Sequence, residues 1–329
     1  DLGIDYLPSA FLVRSAFLKG MSVVFDIHKL AKELKKSTVK DVYGNEHDIF
    51  SVDLFISESQ FKLWDGYLDG EDYIHNLIKN DFPFRVSRYS HRLSKRKTTT
   101  NYMFIQSLSN ELDVESLCED TVKYFRDVSL DDSISTALYM SGESVFDWDF
   151  DSKDFFDLDI VSKAVLSFPK LMKEKYISGR ISKSLEKQKR DANLGKLIVK
   201  GNYSFIVSDP YAQSEHILGE TPKGLLLPNE NYSSFWNGEG VSKVLAMRSP
   251  LTHNSEIMIH NLKMDYMTEY WYKYQQTSHI VSFSGIESFK GADYDFDGDI
   301  LMTTDNDDML DAVVGGNPIT YNHPKAEKK

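Results

Sequence analysis

The chain has 329 residues, 41% of them hydrophobic, so it can bury a sizeable core, and its length suggests two or three domains. The formal net charge is -12, and the single cysteine, Cys118, excludes an internal disulfide framework and a cysteine-based zinc site. No apolar run approaches the length of a membrane span and no signal peptide is visible, so we expect a cytoplasmic protein. Because the chain begins at Asp1 rather than Met, we expect it to be part of a longer polypeptide.

Charge is segregated along the chain. Residues 105–160 hold 15 acidic and 3 basic side chains, whereas residues 85–97 hold 6 basic and no acidic ones, and residues 170–200 hold 10 basic against 3 acidic ones. Basic surfaces can therefore exist on an acidic protein. Each basic run is equally compatible with a solvated helix face and with a phosphate-binding surface.

Residues 1–64 are predicted to form mostly β-structure with one helix. Strand-like runs lie at 10–14, 21–26 and 52–56, and helical spacing lies at 28–36. Lys19 and Gly20 occupy the turn between the first two runs, and Lys62 follows the third. A lysine at a surface turn is the ordinary explanation for either side chain.

Residues 65–196 are predicted to form a partly helical connector. The apolar run 102–105 favours a strand, and 114–125 has helical spacing. A pair of helices is predicted over 160–196, with a break at Pro169 and a weaker break signal at Gly179.

Residues 197–315 are predicted to return to β-structure. Gly201-Asn202 separates two apolar runs and predicts a hairpin turn. The strand pattern continues over 219–227, and a short strand is predicted over 280–285. Residues 255–276 form the strongest helical stretch, and their Met and aromatic side chains favour core packing over a nucleic-acid platform.

An acidic cluster follows, with Asp293, Asp295, Asp297 and Asp299 at alternate positions and Gly298 allowing a tight turn. Carboxylates this close repel one another, which favours a hard divalent cation with oxygen ligands. The sequence therefore predicts a loop that aims several carboxylates at one point.

Three interpretations of this loop compete. A calcium-binding EF-hand loop fits its first seven positions, but Leu301 and Thr304 stand where a ligand and a bidentate Glu are needed. A solvated acidic loop conflicts with the apolar Phe296 and with the apolar residues 300–302. A catalytic magnesium site is the interpretation that we favour.

The run Asp295-Phe296-Asp297-Gly298-Asp299 resembles the Asp-x-Asp-Gly-Asp signature of two-barrel RNA polymerases. This superfamily includes the largest subunit of cellular RNA polymerases, the gene-silencing RNA-dependent RNA polymerases, and single-chain polymerases of phages and mobile elements. Arg248-Ser249-Pro250 resembles the Arg-x-Pro element that precedes this loop in the superfamily, and Lys19-Gly20 and, more weakly, Lys62 resemble elements of its first barrel. The resemblance covers residues 7–64 and 197–305.

The resemblance implies an α+β fold with two double-psi β-barrels joined by a partly helical connector. Residues 1–64 would form the first barrel, incomplete at its N-terminus, and residues 65–196 the connector. Residues 197–315 would form the second barrel with the aspartate loop, and residues 316–329 a tail.

The resemblance also implies a nucleotidyltransferase. Asp295, Asp297 and Asp299 would hold Mg2+, and a second ion would arrive with the nucleoside triphosphate. Lys19 and Lys62 would contact phosphates of the nucleotide or of the RNA end, and Arg248 would lie by the sugar and help to select ribose. Asp293 would be a supporting group or a bystander. The implied partners are nucleoside triphosphates, a nucleic-acid template and an RNA product.

The template is predicted from the loop itself. Phe296 resembles the DNA-directed cellular and phage forms, whereas silencing polymerases more often carry Leu there. A composition rich in Lys, Asn and Ile also suggests a phage or mobile element in the cytoplasm of a bacterial host. A gene-silencing RNA-dependent RNA polymerase and a non-catalytic calcium-binding or degenerate barrel module are the alternatives. The helices that push the template follow the loop in the family and are not recognisable here, so we expect this stretch alone to be inactive.

Overall fold

The computed structural model describes residues 4–93, 97–129, 133–140, 158–291 and 294–317. The strands are β1 (Ala10–Arg14), β2 (Lys19–Val23), β3 (Thr38–Lys40), β4 (Glu46–Asp48), β5 (Arg85–Tyr89), β6 (Lys97–Thr99), β7 (Ile198–Ser208), β8 (Glu230–Tyr232), β9 (Lys243–Arg248), β10 (Met258–Leu262), β11 (Ser278–Val281) and β12 (Ile300–Thr304).

The α-helices among the described residues are α1 (Ile27–Glu33), α2 (Gly70–Lys79), α3 (Tyr102–Gln106), α4 (Val114–Ser129), α5 (Ser133–Met140), α6 (Ile160–Ser167), α7 (Lys175–Asn193), α8 (Pro210–Ile217), α9 (Tyr266–Trp271), α10 (Glu287–Lys290) and α11 (Asp307–Asp311). Short 3-10 helices lie at Ile49–Ser51, Trp64–Gly66, Pro169–Lys173, Ser234–Trp236 and Asn254–Glu256. No helix in these described ranges has both the length and the apolar character needed to cross a membrane.

Six strands of the C-terminal half close into a barrel. Neighbours follow the order β11-β8-β10-β9-β12-β7, and β7 pairs in parallel with β11 to complete the circle, while β6 extends the outer side of β7. Alternate side chains of β7 face opposite sides. Ile206 packs with Val281 and Leu301 in one core, and Phe205 and Val207 pack in another. The predicted α+β class is confirmed, with one closed six-stranded barrel.

The N-terminal half contains a three-stranded antiparallel sheet in the order β2-β1-β5. A single bridge between Leu18 and Phe61 adds the chain segment before Lys62 to its edge. Strand β5 lies at residues 85–89, beyond the predicted boundary at residue 64. This sheet is open among the described residues, so the first of the two expected barrels stays a prediction.

The N-terminal sheet packs directly on the barrel. Ala10, Leu12 and Met21 share one buried core with Phe205 and Val207 of β7. Buried hydrogen bonds join the same halves: the Ser9 N–H donates to Thr277 Oγ1 (2.8 Å), and the Thr277 N–H donates to Ser9 Oγ (2.9 Å). Groups removed from water must keep such partners, so this contact fixes the sheet against the barrel.

The predicted hairpin at Gly201-Asn202 is wrong, since both residues lie inside the continuous 11-residue strand β7. Gly201 pairs with Thr304 of β12, and a Cβ at residue 201 would lie 2.4 Å from the Thr303 carbonyl oxygen. The glycine is therefore needed for close approach of two backbones, which is another ordinary use of glycine in strands.

The long helix predicted over 255–276 is also wrong. That range contains β10, which pairs with β9 and β8, and then the short helix α9. Asp265 starts α9 with a capping box, in which its side chain accepts from the Thr268 N–H and Thr268 Oγ1 accepts from the Asp265 N–H. This pair is a helix start signal in the middle of the predicted helix.

Three other predicted strands are absent from the described structure. Residues 102–105 form helix α3, whose first turn is capped by the Asn101 side chain accepting from the Met103 N–H. Residues 52–56 form no strand, and neither do residues 219–227. Buried Asp209 instead holds the latter loop by accepting from the Leu225 N–H (2.8 Å).

The remaining helix predictions are largely confirmed. Helix α1 covers most of 28–36, and α4 covers 114–125 and continues to Ser129. The predicted pair over 160–196 is α6 and α7, separated at Pro169, while Gly179 lies within α7.

Candidate active site

The aspartate loop connects α10 to β12 and is anchored by aromatic side chains. Tyr294 is buried in the barrel core, and Phe296 packs at the junction of that core with the core shared by both halves. Gly298 has φ +116°, and a Cβ there would lie 2.6 Å from Leu12 Cδ1. Because apolar and acidic residues alternate along the loop, its apolar side chains anchor the backbone in the protein interior and its carboxylates face outward.

Asp295, Asp297 and Asp299 bring one carboxylate oxygen each to within 4.8 Å of one another. The loop backbone contributes to this convergence. The Asp295 N–H donates to Asp299 Oδ2 (3.2 Å), and the Asp297 N–H donates to Asp295 Oδ1 (3.3 Å). Clustered carboxylate oxygens are the donor set that magnesium and calcium prefer. Asp293 lies outside the described residues.

Both alternative interpretations of the loop lose support from its surroundings. Leu301 and Thr304, which stand at EF-hand ligand positions, are buried in β12, and Thr304 Oγ1 donates to the Lys200 carbonyl (2.7 Å). A freely solvated loop would not place Tyr294 and Phe296 in packed cores.

Arg248 is positioned by the barrel. It is the last residue of β9 and pairs with Leu301 of β12, two residues beyond Asp299. Its Nη2 lies 3.0 Å from Asp299 Oδ2, and both side chains are only about one-fifth exposed (23% and 22%). The ladder between β9 and β12 therefore sets this ion pair in place.

Lys19 reaches the loop from the other half of the protein. Its Nζ lies 2.7 Å from Asp297 Oδ2, although 278 positions separate the two residues. Lys19 starts β2 and pairs across the sheet with Arg14 of β1. Arg14 was not predicted as a site residue, and its signal in the sequence was its place opposite Lys19 across a strand turn.

Lys62 lies beside the chain segment that leads into β2. Its N–H donates to the Phe17 carbonyl (2.9 Å), next to the Leu18–Phe61 bridge. Its side chain lines a cleft of about 670 Å³ that Lys19, Asp295 and Asp297 also line. The structure thus gathers Lys19, Lys62 and the loop around one cleft, and Arg248 lies on Asp299 at the loop's end.

The surroundings shift the pKa values of Asp295 and Asp297 in opposite directions. Burial, together with the adjoining Asp297 carboxyl, raises the pKa of Asp295. The Lys19 ammonium holds the pKa of Asp297 below its ordinary value, and the charge of Arg14 acts in the same direction. When the pair of Asp295 and Asp297 takes up a proton, that proton therefore belongs on Asp295.

The basic run 85–97 is largely engaged within the protein. Arg88 lies over the ring of Phe205 (5.3 Å), Arg92 pairs with Asp5 (3.4 Å), and Lys97 pairs with Asp120. Lys95 and Arg96 lie outside the described residues, as does the acidic stretch 141–157.

Comparisons with known proteins give one sequence relative and one structural relative of note. The chain is 29% identical over 255 residues to the DNA-directed RNA polymerase YonO of Bacillus phage SPbeta, a match that covers 74% of the chain and 29% of that protein. Its fold matches the RNA dependent RNA polymerase QDE-1 from Thielavia terrestris with a TM-score of 0.61 and 15% identity, over 99% of the chain and 34% of that structure.

No protein-family model matches the chain. The chain spans about a third of the length of both relatives. The predicted resemblance to this group of polymerases is confirmed, in sequence by the phage protein and in fold by the RNA dependent enzyme.

Proposed function

We propose that this chain is the catalytic core of a single-chain, template-dependent RNA polymerase that adds ribonucleotides to an RNA 3′ end by two-metal phosphoryl transfer. One observation carries the proposal: three converging aspartates meet Lys19 from the N-terminal sheet and Arg248 from the barrel. A structural calcium loop or a degenerate barrel has no need of both cations at the carboxylates, so their joint presence supports the enzyme.

The aspartates fit a magnesium site by their chemistry. Asp295, Asp297 and Asp299 offer ionised oxygens within 4.8 Å of one another, and no softer ligand intervenes among the described residues there. Bound magnesium would neutralise phosphate charge and lower the pKa of the RNA 3′-hydroxyl. A second ion would come with the nucleoside triphosphate, as magnesium commonly does.

The protein's own side chains then position the substrates. Lys19 is half exposed, with 59% of its side chain accessible, so it can leave Asp297 for a phosphate oxygen when the carboxylate takes another partner. Lys62 lines the same cleft and can neutralise a second phosphate. The transfer needs little covalent chemistry from the protein, and charge neutralisation with in-line positioning accounts for most of the catalysis.

Arg248 has a different task. Asp299 holds one side of its guanidinium, and the planar group still has further N–H donors in a fixed fork. We assign those donors to the ribose hydroxyls of the nucleotide. Sugar selection thus rests on a side chain fixed by a barrel strand.

The two-barrel architecture is part of this proposal. The sheet β2-β1-β5 would belong to the first double-psi barrel, and the closed barrel would be the second. The fold likeness over 99% of the chain supports this arrangement. We keep the proposed second-barrel bounds of 197–315. We extend the first unit from residue 64 to Tyr89 because β5 pairs with β1, so the connector of 65–196 shortens to 90–196.

DNA is the favoured template, and RNA is the second candidate. The relative that resembles this chain in sequence is named as a DNA-directed polymerase, and Phe296 agrees with that choice. The relative that resembles it in fold is named as RNA dependent, which keeps RNA as the second candidate template.

Full-length protein should be given matched single-stranded DNA and RNA templates with ribonucleotides and Mg2+. Copying of DNA is expected, and copying of RNA alone would reverse the template choice.

The activity itself is tested by substitution. Asp297→Ala in the full-length protein should abolish nucleotide addition while its circular dichroism spectrum stays unchanged. Asp311→Ala, at an exposed position on α11, is the matched control and should retain wild-type synthesis. Near wild-type synthesis by Asp297→Ala would refute the proposed function.

A further inference from the structure

The cleft beside the aspartate loop has a wall that the proposed chemistry does not use. Lys19, Lys62, Asp295 and Asp297 all belong to its lining. Phe283 also lines it, and this side chain has no role in metal or phosphate binding. The volume of about 670 Å³ is within the range of small-molecule sites and exceeds what phosphates alone would fill.

Phe283 is held in place by its neighbours. It follows β11, and the flanking Ser282 Oγ donates to the Leu226 carbonyl (2.9 Å) and accepts from the Ser284 N–H (3.3 Å). Gly224 has φ +67°, and a Cβ there would lie 3.1 Å from Phe283 Cδ1 and Cε1. The ring therefore lies against bare backbone, where a side chain would displace it.

Phe283 is nevertheless 41% exposed. A large apolar side chain that is supported on one side and exposed on the other can offer ring surface to a ligand in the cleft. Aromatic rings in this setting stack nucleobases, because every base has a π-face that a ring can cover. The carboxylates and lysines of the cleft offer no such surface, and Phe296, the other phenylalanine of the lining, packs against the hydrophobic cores.

We propose that Phe283 is a stacking platform for the nucleobase of a nucleotide whose phosphates meet Lys19 and Lys62. This inference rests on the proposed polymerase function and adds a residue that binds the base. Stacking is tolerant of base identity, which suits a site that must accept all four nucleotides in turn. The base belongs either to a free nucleoside triphosphate or to the end of an RNA strand.

The test compares three variants of the full-length protein. Phe283→Leu removes the ring, Phe283→Trp keeps an aromatic surface, and Phe289→Leu is the matched control. Phe289 lies on α10 with 48% exposure and is not among the residues that line the cleft. Binding of ATP, of inorganic tripolyphosphate and of a short oligoribonucleotide is measured by calorimetry in the presence of Mg2+.

Phe283→Leu is expected to weaken binding of ATP or of the oligoribonucleotide by about fivefold or more, and the ligand that is affected identifies the source of the base. Tripolyphosphate, which lacks a base, should bind as it does to wild type, and Phe283→Trp and Phe289→Leu should bind all ligands normally. Equal loss of ATP and tripolyphosphate, or no loss of either base-containing ligand, would overturn the stacking role. Failure of the wild-type protein to bind any of the three would instead refute the proposed function.

Discussion

At the scale of single residues, the loop carboxyls are unequal, and this has a consequence for pH dependence. A carboxyl must lose its proton before it can bind a metal. Because burial and Asp297 raise the pKa of Asp295, protons compete with Mg2+ at this carboxyl above the ordinary value of 3.8. Mg2+ affinity should therefore fall on acidification with a midpoint above 3.8, which calorimetric titration at a series of pH values would measure.

Lys19→Met sharpens this prediction. The Lys19 ammonium lowers the pKa of Asp297, so its removal should raise that pKa and shift the midpoint of Mg2+ binding to higher pH. At neutral pH the variant should bind Mg2+ at least as well as wild type, because a cation that repels the metal is gone. Lys79→Met, on α2, is the control. An unchanged midpoint in Lys19→Met would contradict the pairing with Asp297.

Arg248 gives the second prediction at this scale. Arg248→Lys keeps a charge near Asp299 but loses the rigid fork of donors. Loss of one hydrogen bond to a ribose hydroxyl should reduce the ratio of kcat/KM for ATP over dATP by about tenfold. Lys243→Gln, at the exposed start of β9, should leave the ratio unchanged. An equal ratio in Arg248→Lys and wild type would remove Arg248 from sugar selection.

At the scale of elements, the loop depends on close packing between the two halves. In Gly298→Ala, the new Cβ would meet the buried Leu12 side chain at 2.6 Å, and the φ of +116° would be strained. The loop should shift, lowering stability by about 1–3 kcal/mol and weakening Mg2+ binding. Both are measurable by urea unfolding and calorimetry.

Gly240→Ala separates the effect of backbone strain from the effect of the contact with Leu12. Gly240 also has a positive φ (+71°), but its Cβ would meet no atom within 4 Å. This control should therefore carry the backbone strain without the loss of Mg2+ affinity. A Gly298→Ala variant that binds Mg2+ normally would show that the packing on Leu12 does not position the carboxylates.

A buried pair of histidines in the barrel gives a prediction of pH-dependent stability. His260 on β10 and His279 on β11 place Nδ1 and Nε2, respectively, 2.9 Å apart. Burial lowers the pKa of both side chains, that of His279 to about 4. In the unfolded chain, histidine titrates near 6.5, so the unfolded state binds more protons between about pH 6.5 and pH 4. The barrel should hold its full stability above about pH 6.5 and lose stability as the pH falls through that window.

The loss in the free energy of unfolding that is due to His279 should approach roughly 3 kcal/mol at the acid end of this pH window. Urea unfolding across the window would measure it. His279→Gln should flatten the dependence, whereas His75→Gln, at an exposed position on α2, should not. A wild-type free energy of unfolding that is constant between pH 6.5 and pH 4.5 would contradict the account of the pair.

Some elements could be predicted from sequence because their signal is local. Helix α4 follows from apolar spacing alone, and the aspartate loop follows from four acids and a glycine within seven residues. Other elements depend on partners that are distant in sequence. Gly201 is a turn residue by its type, and its place in a continuous strand is explained by the Thr303 carbonyl oxygen, which would lie 2.4 Å from a Cβ at residue 201.

The same reasoning applies to the site. Asp295, Asp297 and Asp299 are recognisable by their spacing, and Lys19 and Arg248 only by the resemblance to a polymerase family. Arg14 was missed although it stands opposite Lys19 across the turn, and Phe283 carried no motif because its position depends on the bare backbone of Gly224. Residues that act through tertiary packing are therefore those that sequence reasoning misses.

At the scale of the whole molecule, the central claim is that the two halves of the chain meet at one metal site. The shared core of Leu12, Met21, Phe205 and Val207 and the bonds between Ser9 and Thr277 hold them together. Lys19 and Asp297 meet because of this packing. The site would lose Lys19 and Lys62 if the sheet and the barrel separated, whereas Arg248 would stay with the barrel.

Localised cleavage by iron tests this claim most directly. Fe2+ bound in place of Mg2+ is oxidised to Fe3+ by added hydrogen peroxide, which yields hydroxide and a hydroxyl radical. The radical cuts the polypeptide near the ion, and the fragments can be mapped by mass spectrometry. We predict cuts at two places, within residues 294–299 and around Lys19 and Gly20, both suppressed by excess Mg2+ and both lost in Asp297→Asn. Cuts at the loop without cuts near Lys19, or a pattern that Asp297→Asn leaves unchanged, would contradict a metal site shared by the two halves.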